Sequence, residues 1–263
     1  MPIFGGGEIL MGRIISVSNQ KGGVGKTTTT VNVAAFLAEM GKRVLIIDID
    51  PQGNAGYGIG VNAEEINTTV YEVLIGEIGL KESLFKTDIE NLYLVPSNIH
   101  LSGAQVDLLD VEGKEFILRK MLKDIKADFD YIFIDCPPSL GILTLNSLVA
   151  ADSVMIPLQC EYYALEGLNQ LLRIIAMVQE NLNRNLKIEG VVLTMYDPRT
   201  NLSQQVVNDV REFFGEKVFR TIIPRNVKLS EAPSFGQPIG VYDRGSAGSR
   251  TYESLAKEVI RNG

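Results

Sequence analysis

The sequence predicts a doubly wound α/β fold: a mostly parallel sheet with helices on both faces, in three α/β/α layers. A β-branched run over residues 13–18 is followed by helical spacing over residues 27–40 and by a second apolar run over residues 43–47. A strand–helix–strand succession pairs its strands in parallel. Similar runs alternate to the end of the chain, and 45% apolar composition over 263 residues supplies the core of one large domain.

Local signals define each element in order. The first strand ends at a glycine-rich turn, and the following helix places Val31, Ala34 and Leu37 on one face before Gly41 ends it. Residues 53–62 are rich in Gly and Asn and predict a loop. The other predicted strands are 91–96, 131–134, 153–157, 189–194 and an edge strand at 217–222, and the other predicted helices are 114–125, 164–182, 203–214 and 249–261.

The first ten residues lack the basic start and the cleavage site typical of a secretory signal, and no apolar run approaches the ~18 residues of a membrane span. We expect a single domain over residues 11–263, preceded by a disordered or non-native extension over residues 1–10, because three consecutive glycines disfavour an ordered arm. Cys136 and Cys160 match no metal-binding spacing, which is typical of buried thiols in a reducing cytoplasm.

A phosphate-binding loop lies between the first strand and the first helix. Residues 19–28 read Asn-Gln-Lys-Gly-Gly-Val-Gly-Lys-Thr-Thr. The glycines let consecutive backbone N–H groups face one anion, and the helix that follows adds its positive end. A glycine-rich turn can be purely structural, but Gly-Lys-Thr-Thr in this context predicts a nucleotide site, with Lys26 on the β- and γ-phosphates and the Thr27 hydroxyl on Mg²⁺. The predicted nucleotide-binding residues of the loop are Lys21, Gly22, Gly23, Val24, Gly25, Lys26, Thr27 and Thr28.

Acidic residues follow two of the predicted strands. Asp48 and Asp50 come after strand 43–47, and Asp135 ends the apolar strand 131–134. Because parallel strands end at the same edge of the sheet, these carboxylates should lie beside the phosphate loop. We predict that Asp135 holds Mg²⁺ through a water and that Asp48 lies in the outer coordination sphere of the ion.

With these motifs the chain resembles the ParA/MinD ATPases, whose deviant Walker A motif carries an additional lysine at the position of Lys21. The resemblance implies ATP as the nucleotide, and it implies that Lys21 reaches across a dimer to the nucleotide of the partner. Asp50-Pro51-Gln52-Gly53-Asn54 resembles the first switch, so Asp50 should position the attacking water; Lys21, Lys26 and Asp50 are thus the expected catalytic residues. Pro137-Pro138-Ser139 resembles the second switch. Ile223-Pro224-Arg225-Asn226 resembles the adenine-contacting segment, which implicates Pro224 and Asn226.

Four segments resemble the chromosomal ParA, or Soj, subgroup in particular. They are IDCPPSL (134–140), QCEYYALEG (159–167), LTMYDPRTNL (193–202) and PRNVKLSEAPS (224–234). The resemblance covers residues 11–263 and implies a Mg²⁺-dependent ATPase that is cytoplasmic and nucleoid-associated. We expect its basal rate to be slow, because no arginine occupies a recognisable finger position. Its ATP-bound homodimer should bind double-stranded DNA without sequence preference. A ParB-type centromere-binding partner should stimulate hydrolysis, and a replication initiator is a further expected partner.

Charge is unevenly distributed along the chain. The net charge is −7, but residues 187–263 carry 11 Lys/Arg against 9 Asp/Glu, whereas residues 1–186 carry 14 against 23. A generally basic protein is thereby excluded, while a basic surface in the last third is compatible with DNA phosphate contacts. By resemblance, Arg199 and Lys228 match DNA-contacting positions; Lys217, Arg225 and Arg250 are candidates from their place in the last third alone.

Three alternatives remain at the level of sequence. A MinD-like membrane-surface ATPase for division-site placement requires a basic amphipathic C-terminal helix, whereas residues 249–261 read as a closing helix that packs inward. An iron–sulfur carrier requires cysteines that face a dimer axis, which Cys136 and Cys160 do not match. A nucleotide-binding module without hydrolysis is disfavoured by the set Lys26, Thr27, Asp50 and Asp135.

Overall fold

A computed structural model of the chain describes residues 12–162 and 164–262. The predicted extension over residues 1–10 and the predicted domain start at Met11 therefore lie outside the described residues. Within the described part, no helix combines the length and apolar character needed to cross a membrane.

Seven strands form one sheet with the order β3-β4-β2-β5-β1-β6-β7. All neighbouring pairs are parallel except β3–β4. The predicted mostly parallel, doubly wound sheet is confirmed. The strands are β1 (Arg13–Val17), β2 (Val44–Asp48), β3 (Phe85–Lys86), β4 (Leu92–Val95), β5 (Tyr131–Asp135), β6 (Ser153–Gln159) and β7 (Lys187–Thr194).

Helices connect the strands and cover the sheet. In the described residues they are α1 (Lys26–Glu39), α2 (Asn54–Tyr57), α3 (Val70–Leu74), α4 (Ala104–Asp107), α5 (Ile117–Leu122), α6 (Ile142–Ala150), α7 (Ala164–Asn181), α8 (Asn201–Phe214), α9 (Val227–Glu231), α10 (Ile239–Tyr242) and α11 (Ala247–Arg261). The predicted helix 114–125 is a 3₁₀ turn followed by α5, and the predicted loop 53–62 begins with α2. The short antiparallel strand β3 was not predicted.

Both faces of the sheet are buried, as the three-layer prediction requires. Along β2 the side chains alternate between two cores: Val44 and Ile46 belong to one, Leu45 and Ile47 to the other. Helices α1 and α11 contribute to the first core, and helices α6, α7 and α8 contribute to the second. The apolar, β-branched composition of β2 follows from burial on both sides.

The predicted edge strand at 217–222 is wrong. The structure has a 3₁₀ turn, Gly215–Lys217, followed by a single parallel bridge between Val191 and Val218. The carboxylate of Glu258 on α11 accepts the backbone N–H groups of Arg220 at 2.6 Å and Thr221 at 3.1 Å. These amide groups are therefore bonded to a side chain, and a regular ladder with β7 does not form.

A candidate nucleotide site at the carboxyl end of the sheet

The phosphate loop (residues 19–28) connects β1 to α1 through two glycines in the left-handed region. Gly23 has φ +72° and Gly25 has φ +88°, a conformation that few other residues adopt without strain. Gly25 is also the N-cap of α1 and provides no side-chain cap for its first amide groups. These N–H groups and the positive end of the helix are directed at one place, which suits a phosphate.

Neighbouring strands hold the phosphate loop in place. The side-chain amide of Asn19 donates to the Pro157 carbonyl in β6 at 2.7 Å, and its oxygen accepts the Lys21 N–H at 3.0 Å. At the end of β7, the Thr194 hydroxyl donates to the Val24 carbonyl at 2.8 Å. Side-chain hydrogen bonds of Asn19 and Thr194 thus tie the loop to two strands, β6 and β7.

The two lysines of the loop lie in different environments. Lys26 is 7% exposed, and its Nζ donates to the Lys21 carbonyl at 3.3 Å. Burial lowers the pKa of Lys26, while the nearby Asp135 carboxyl opposes this shift. The Lys21 side chain is 37% exposed and forms an ion pair with Glu161 at 3.1 Å. Lys26 lines the cavity beside the loop, whereas Lys21 is not among its lining residues and pairs with Glu161 instead.

Asp135, at the end of β5, lies against the start of α1. Its carboxylate accepts the Thr27 hydroxyl at 2.7 Å and the Thr30 hydroxyl at 2.9 Å. Burial raises the pKa of Asp135 to about 6, although both hydroxyl bonds and Lys26 favour the ionised form. A hydroxyl and a carboxylate oxygen together suit a hard cation such as Mg²⁺, which completes its coordination with phosphate oxygens and waters. The residues present therefore fit Mg²⁺ at Thr27 and Asp135.

Asp48 and Asp50, on the segment that follows β2, have separate roles in the geometry. Asp48 is fully buried; one of its oxygens accepts the Asp50 N–H at 3.0 Å and the other accepts the Ala55 N–H at 2.9 Å. Burial and the Asp135 charge raise the pKa of Asp48 well above its usual range. Asp48 thus fixes the backbone of the switch segment (residues 50–54), and its role in the outer sphere of Mg²⁺ stays a prediction. Asp50 lines the cavity, as a water-positioning residue must.

A cavity of about 470 Å³ opens beside the phosphate loop. This volume falls within the usual range for a small-molecule site. Several residues that line the cavity were not predicted from the sequence. They come from α1, α2, the end of β7 and the segment after α9, and they are Val31, Asn32, Tyr57, Met195, Pro233 and Gln237. Val31 and Asn32 were detectable, because they lie one helical turn after Thr27 and Thr28; the other four had no local signal.

The two residues predicted to contact adenine lie elsewhere. Pro224 and Asn226 do not line this cavity. The Asn226 side chain instead caps α9 by accepting the Lys228 N–H at 2.9 Å. Their contact with adenine stays a prediction, whereas Met195, Pro233 and Gln237 line the cavity.

The candidate DNA-binding residues divide into two locations. Arg199 follows β7, and the Arg225 N–H donates to the Tyr196 carbonyl at 2.9 Å, so both lie at the carboxyl end of the sheet. Lys228 lies in the first turn of α9, and Gly248, two residues before Arg250, lies against Leu229 of the same helix. Lys217 instead lines a groove with Glu189 and Lys187 at the amino end of β7, so the structure does not bring it to the other four.

Acidic neighbours pair with three of these cations. Arg199 is 84% exposed and bonds both oxygens of Asp197, at 2.9 and 2.7 Å, which lowers the pKa of Asp197 to about 2. Lys228 pairs with Glu231 at 2.8 Å, and Arg225 lies 4.0 Å from Glu161. Phosphate contacts by these side chains would have to replace such exposed pairs, which are individually weak.

Known proteins are similar to this chain in sequence and in fold. A family model described as an AAA domain matches residues 12–188. The sporulation initiation inhibitor protein Soj of Bacillus subtilis (strain 168) is 54% identical over 253 residues, covering 96% of this chain and 100% of that protein. The chromosome partitioning protein ParA of Myxococcus xanthus is 53% identical over 255 residues, covering 97% of this chain and 90% of that protein.

A solved structure places nucleotide and metal on the same fold. The Mycobacterium smegmatis protein described as cobyrinic acid a,c-diamide synthase, with bound ADP and magnesium, superposes with a TM-score of 0.84 at 40% identity, covering 95% of each chain. Another structure of that protein holds an ATP analogue and magnesium. ATP and Mg²⁺ are accordingly the cofactors of this chain, in agreement with its phosphate loop, Thr27 and Asp135. The chain belongs to the ParA/Soj family of chromosome-partitioning P-loop ATPases.

Proposed function

We propose that this chain is a partition ATPase whose ATP-bound form is a homodimer that binds double-stranded DNA without sequence preference. The observation that carries the proposal is the position of Lys21. Its side chain is partly exposed and pairs with Glu161, and Lys21 is not among the residues that line the cavity with Lys26. A lysine at the start of a phosphate loop that does not line the cavity beside that loop supports a role for Lys21 at the nucleotide of a second subunit.

The geometry supports slow hydrolysis of ATP to ADP and phosphate. The loop amides and Lys26 bind the β- and γ-phosphates, and Asp50 positions the attacking water from the side of the switch segment. Mg²⁺, when bound at Thr27 and Asp135, neutralises charge on the same phosphates. Lys21 of the second subunit adds a positive charge at the transition state, so hydrolysis depends on the dimer.

DNA binding is assigned to the carboxyl-end cations Arg199, Arg225, Lys228 and Arg250. Contacts to phosphates supply affinity without reading sequence, and they make binding fall steeply with salt. A ParB-type centromere-binding protein is the proposed activator of hydrolysis, after which the dimer separates and releases DNA. The protein then acts on the nucleoid in the cytoplasm, and contact with a replication initiator is part of the same proposal.

A membrane-surface role of the MinD type finds no support in α11. Its apolar residues Tyr252, Leu255 and Val259 are at most 1% exposed and pack into the core with α1. Because the apolar face of α11 is already buried in the core, the helix cannot insert this face into the headgroup region of a membrane.

Binding to random-sequence duplex DNA tests the proposal. The Asp50→Ala protein, which should bind ATP without hydrolysing it, is compared with ATP and with ADP over a range of salt concentrations. We expect ATP-dependent, salt-sensitive binding that Arg199→Glu abolishes. Lys257→Glu is the matched control, because Lys257 is an exposed, ion-paired lysine of α11 outside the proposed surface.

A confirmed ATP-bound dimer that does not bind DNA would contradict the partition function. Vesicles containing anionic lipid would then be the next ligand to test, since they address the membrane-surface alternative directly. Equal effects of Arg199→Glu and Lys257→Glu would contradict the assigned surface while leaving the DNA-binding function intact.

A further inference from the structure

Glu161, just after β6, holds two cations on its two carboxylate oxygens. Lys21 Nζ lies 3.1 Å from Oε2, and Arg225 Nη2 lies 4.0 Å from Oε1. The side-chain amide of Gln159 also donates to Oε1. One carboxylate therefore connects the phosphate loop, the end of β6 and the segment before α9.

The two ion pairs are not equivalent. The Lys21 contact is a direct hydrogen-bonded pair, whereas the Arg225 contact is at the outer limit of an ion pair. The Arg225 backbone is fixed by its N–H bond to the Tyr196 carbonyl at 2.9 Å, while its guanidinium is 61% exposed. Arg225 can therefore approach Glu161 more closely without any change in the backbone.

We propose that Glu161 positions Lys21 in the single subunit and that Arg225 replaces Lys21 as its counter-ion when Lys21 crosses to the nucleotide of a second subunit. This inference rests on the proposed ATP-bound dimer. Without Arg225, the departure of Lys21 would leave the Glu161 carboxylate without a cation beside the new interface. With Arg225 present, the charge of Glu161 is compensated in both states, and the transfer of Lys21 is easier.

This exchange predicts a suppressor relationship between positions 225 and 161. Arg225→Gln should weaken ATP-dependent dimerisation, because the dimer then contains an unpaired Glu161. Adding Glu161→Gln to Arg225→Gln should restore dimerisation, because no charge needs compensation. Glu161→Gln alone should change dimerisation little, because it removes the ion pair with Lys21 from the single subunit and the ion pair with Arg225 from the dimer. Exposed ion pairs of this kind change an equilibrium by up to about fivefold.

The experiment measures dimerisation of the full chain by sedimentation velocity, with a non-hydrolysable ATP analogue and Mg²⁺ and without DNA. We expect a two- to fivefold weaker association for Arg225→Gln, recovery in the double variant, and near-unchanged association for Arg225→Lys, which keeps the charge. Lys257→Gln removes an equally exposed, ion-paired cation away from Glu161 and is the matched control. The differences should disappear in high salt.

Binding of the analogue to dilute, monomeric protein separates this positioning role from a general structural defect, because it should be the same in all variants. The exchange would be overturned if Arg225→Gln left dimerisation unchanged, or if adding Glu161→Gln to Arg225→Gln failed to restore dimerisation. Either result would leave the proposed function standing. A wild-type chain that remains monomeric with the analogue would overturn both.

Discussion

Asp48 and Asp135 are register partners on the adjacent parallel strands β2 and β5, and both carboxyl groups are fully buried. Asp135 accepts hydroxyl groups from the start of α1, whereas Asp48 accepts backbone amides of the segment after β2. Burial raises the pKa of both groups. These two acids lie side by side at the carboxyl end of the sheet but have different roles. Asp135 faces the phosphate loop, and Asp48 fixes the switch segment that carries Asp50.

Asp48→Asn should slow hydrolysis and leave ATP binding nearly unchanged. An asparagine side chain has one acceptor oxygen, so its NH₂ group would face the N–H of either Asp50 or Ala55. A buried donor without an acceptor costs about 1–3 kcal/mol, which should displace the switch segment. We expect roughly a tenfold lower kcat, with an ATP Kd within about twofold, from steady-state rates and nucleotide titration.

Asp152→Asn is the matched control for this prediction. Asp152 also accepts a backbone N–H, that of Ile14 at 2.9 Å, but at the amino end of the sheet. Its replacement should reduce thermal stability without changing kcat. Equal losses of kcat in the two variants would show that Asp48 contributes only general stability.

Binding of Mg²⁺ and ATP should weaken as pH falls below about 6. The pKa of Asp135 is raised to about 6 from an unfolded value near 3.8, so the fold favours the protonated carboxyl. Its stabilisation of the nucleotide-free protein is complete below pH ~4 and is lost as pH rises through about 6. Mg²⁺ requires the ionised form, so each pH unit below 6 should weaken Mg²⁺-dependent binding by up to about tenfold.

Titration with a fluorescent ATP analogue at pH 5 to 8, in Mg²⁺ and in EDTA, checks this dependence. Thr30→Val removes a hydrogen bond that favours ionised Asp135. The pH midpoint of Mg²⁺-dependent binding of the analogue should therefore move to higher pH. Thr251→Val, which removes a hydroxyl bond within α11, should not move it. If wild type, Thr30→Val and Thr251→Val had the same pH midpoint, a group other than Asp135 would control Mg²⁺-dependent binding.

Lys26→Met should abolish most ATP binding and leave folding intact. Removing one partner of a buried charge contact costs about 2–5 kcal/mol, so the ATP Kd should rise by about 30-fold or more. Burial lowers the pKa of Lys26 despite the opposing Asp135 carboxyl, so the nucleotide-free fold disfavours its charged form relative to the unfolded chain. Replacement by an apolar side chain of similar length should therefore leave the melting temperature unchanged or raise it slightly.

Nucleotide titration and thermal unfolding, both in low salt, test the two parts of this prediction separately. Lys42→Met, just beyond the opposite end of α1, should change neither quantity. A marked fall in the melting temperature of Lys26→Met would show that Lys26 stabilises the fold and would contradict the argument from its pKa.

Much of the site was predictable because its signals are local. The phosphate loop needs glycines with positive φ directly before a helix, and Gly23, Gly25 and Lys26 occupy those places. Asp135 ends a buried strand beside β1, so the parallel sheet alone brings it to the loop. The sheet class, its layers and the contact of Asp135 with Thr27 follow from such short-range patterns.

The remainder depends on contacts between distant segments. Met195 has φ +52°, which is unusual for a side chain of its kind, and it reaches the cavity from the end of β7. Pro233 and Gln237 come from the segment after α9, far from the phosphate loop in sequence. No periodicity marks these positions. The same reason explains the error at residues 217–222, where an acid on α11 accepts the amide groups that a strand would need.

Glu258→Ala should destabilise the protein without changing its basal ATPase rate. Glu258 is 7% exposed and accepts the N–H groups of Arg220 and Thr221. Its loss leaves two backbone donors without this partner, a penalty of about 1–3 kcal/mol, or several degrees in melting temperature for a chain of this size. Glu253→Ala removes a partly exposed, ion-paired acid from the same helix and should shift the melting temperature by only about one degree. If both variants melt at the same temperature, the segment over 217–222 is held by its apolar contacts with β7, and the Glu258 bonds do not determine its conformation.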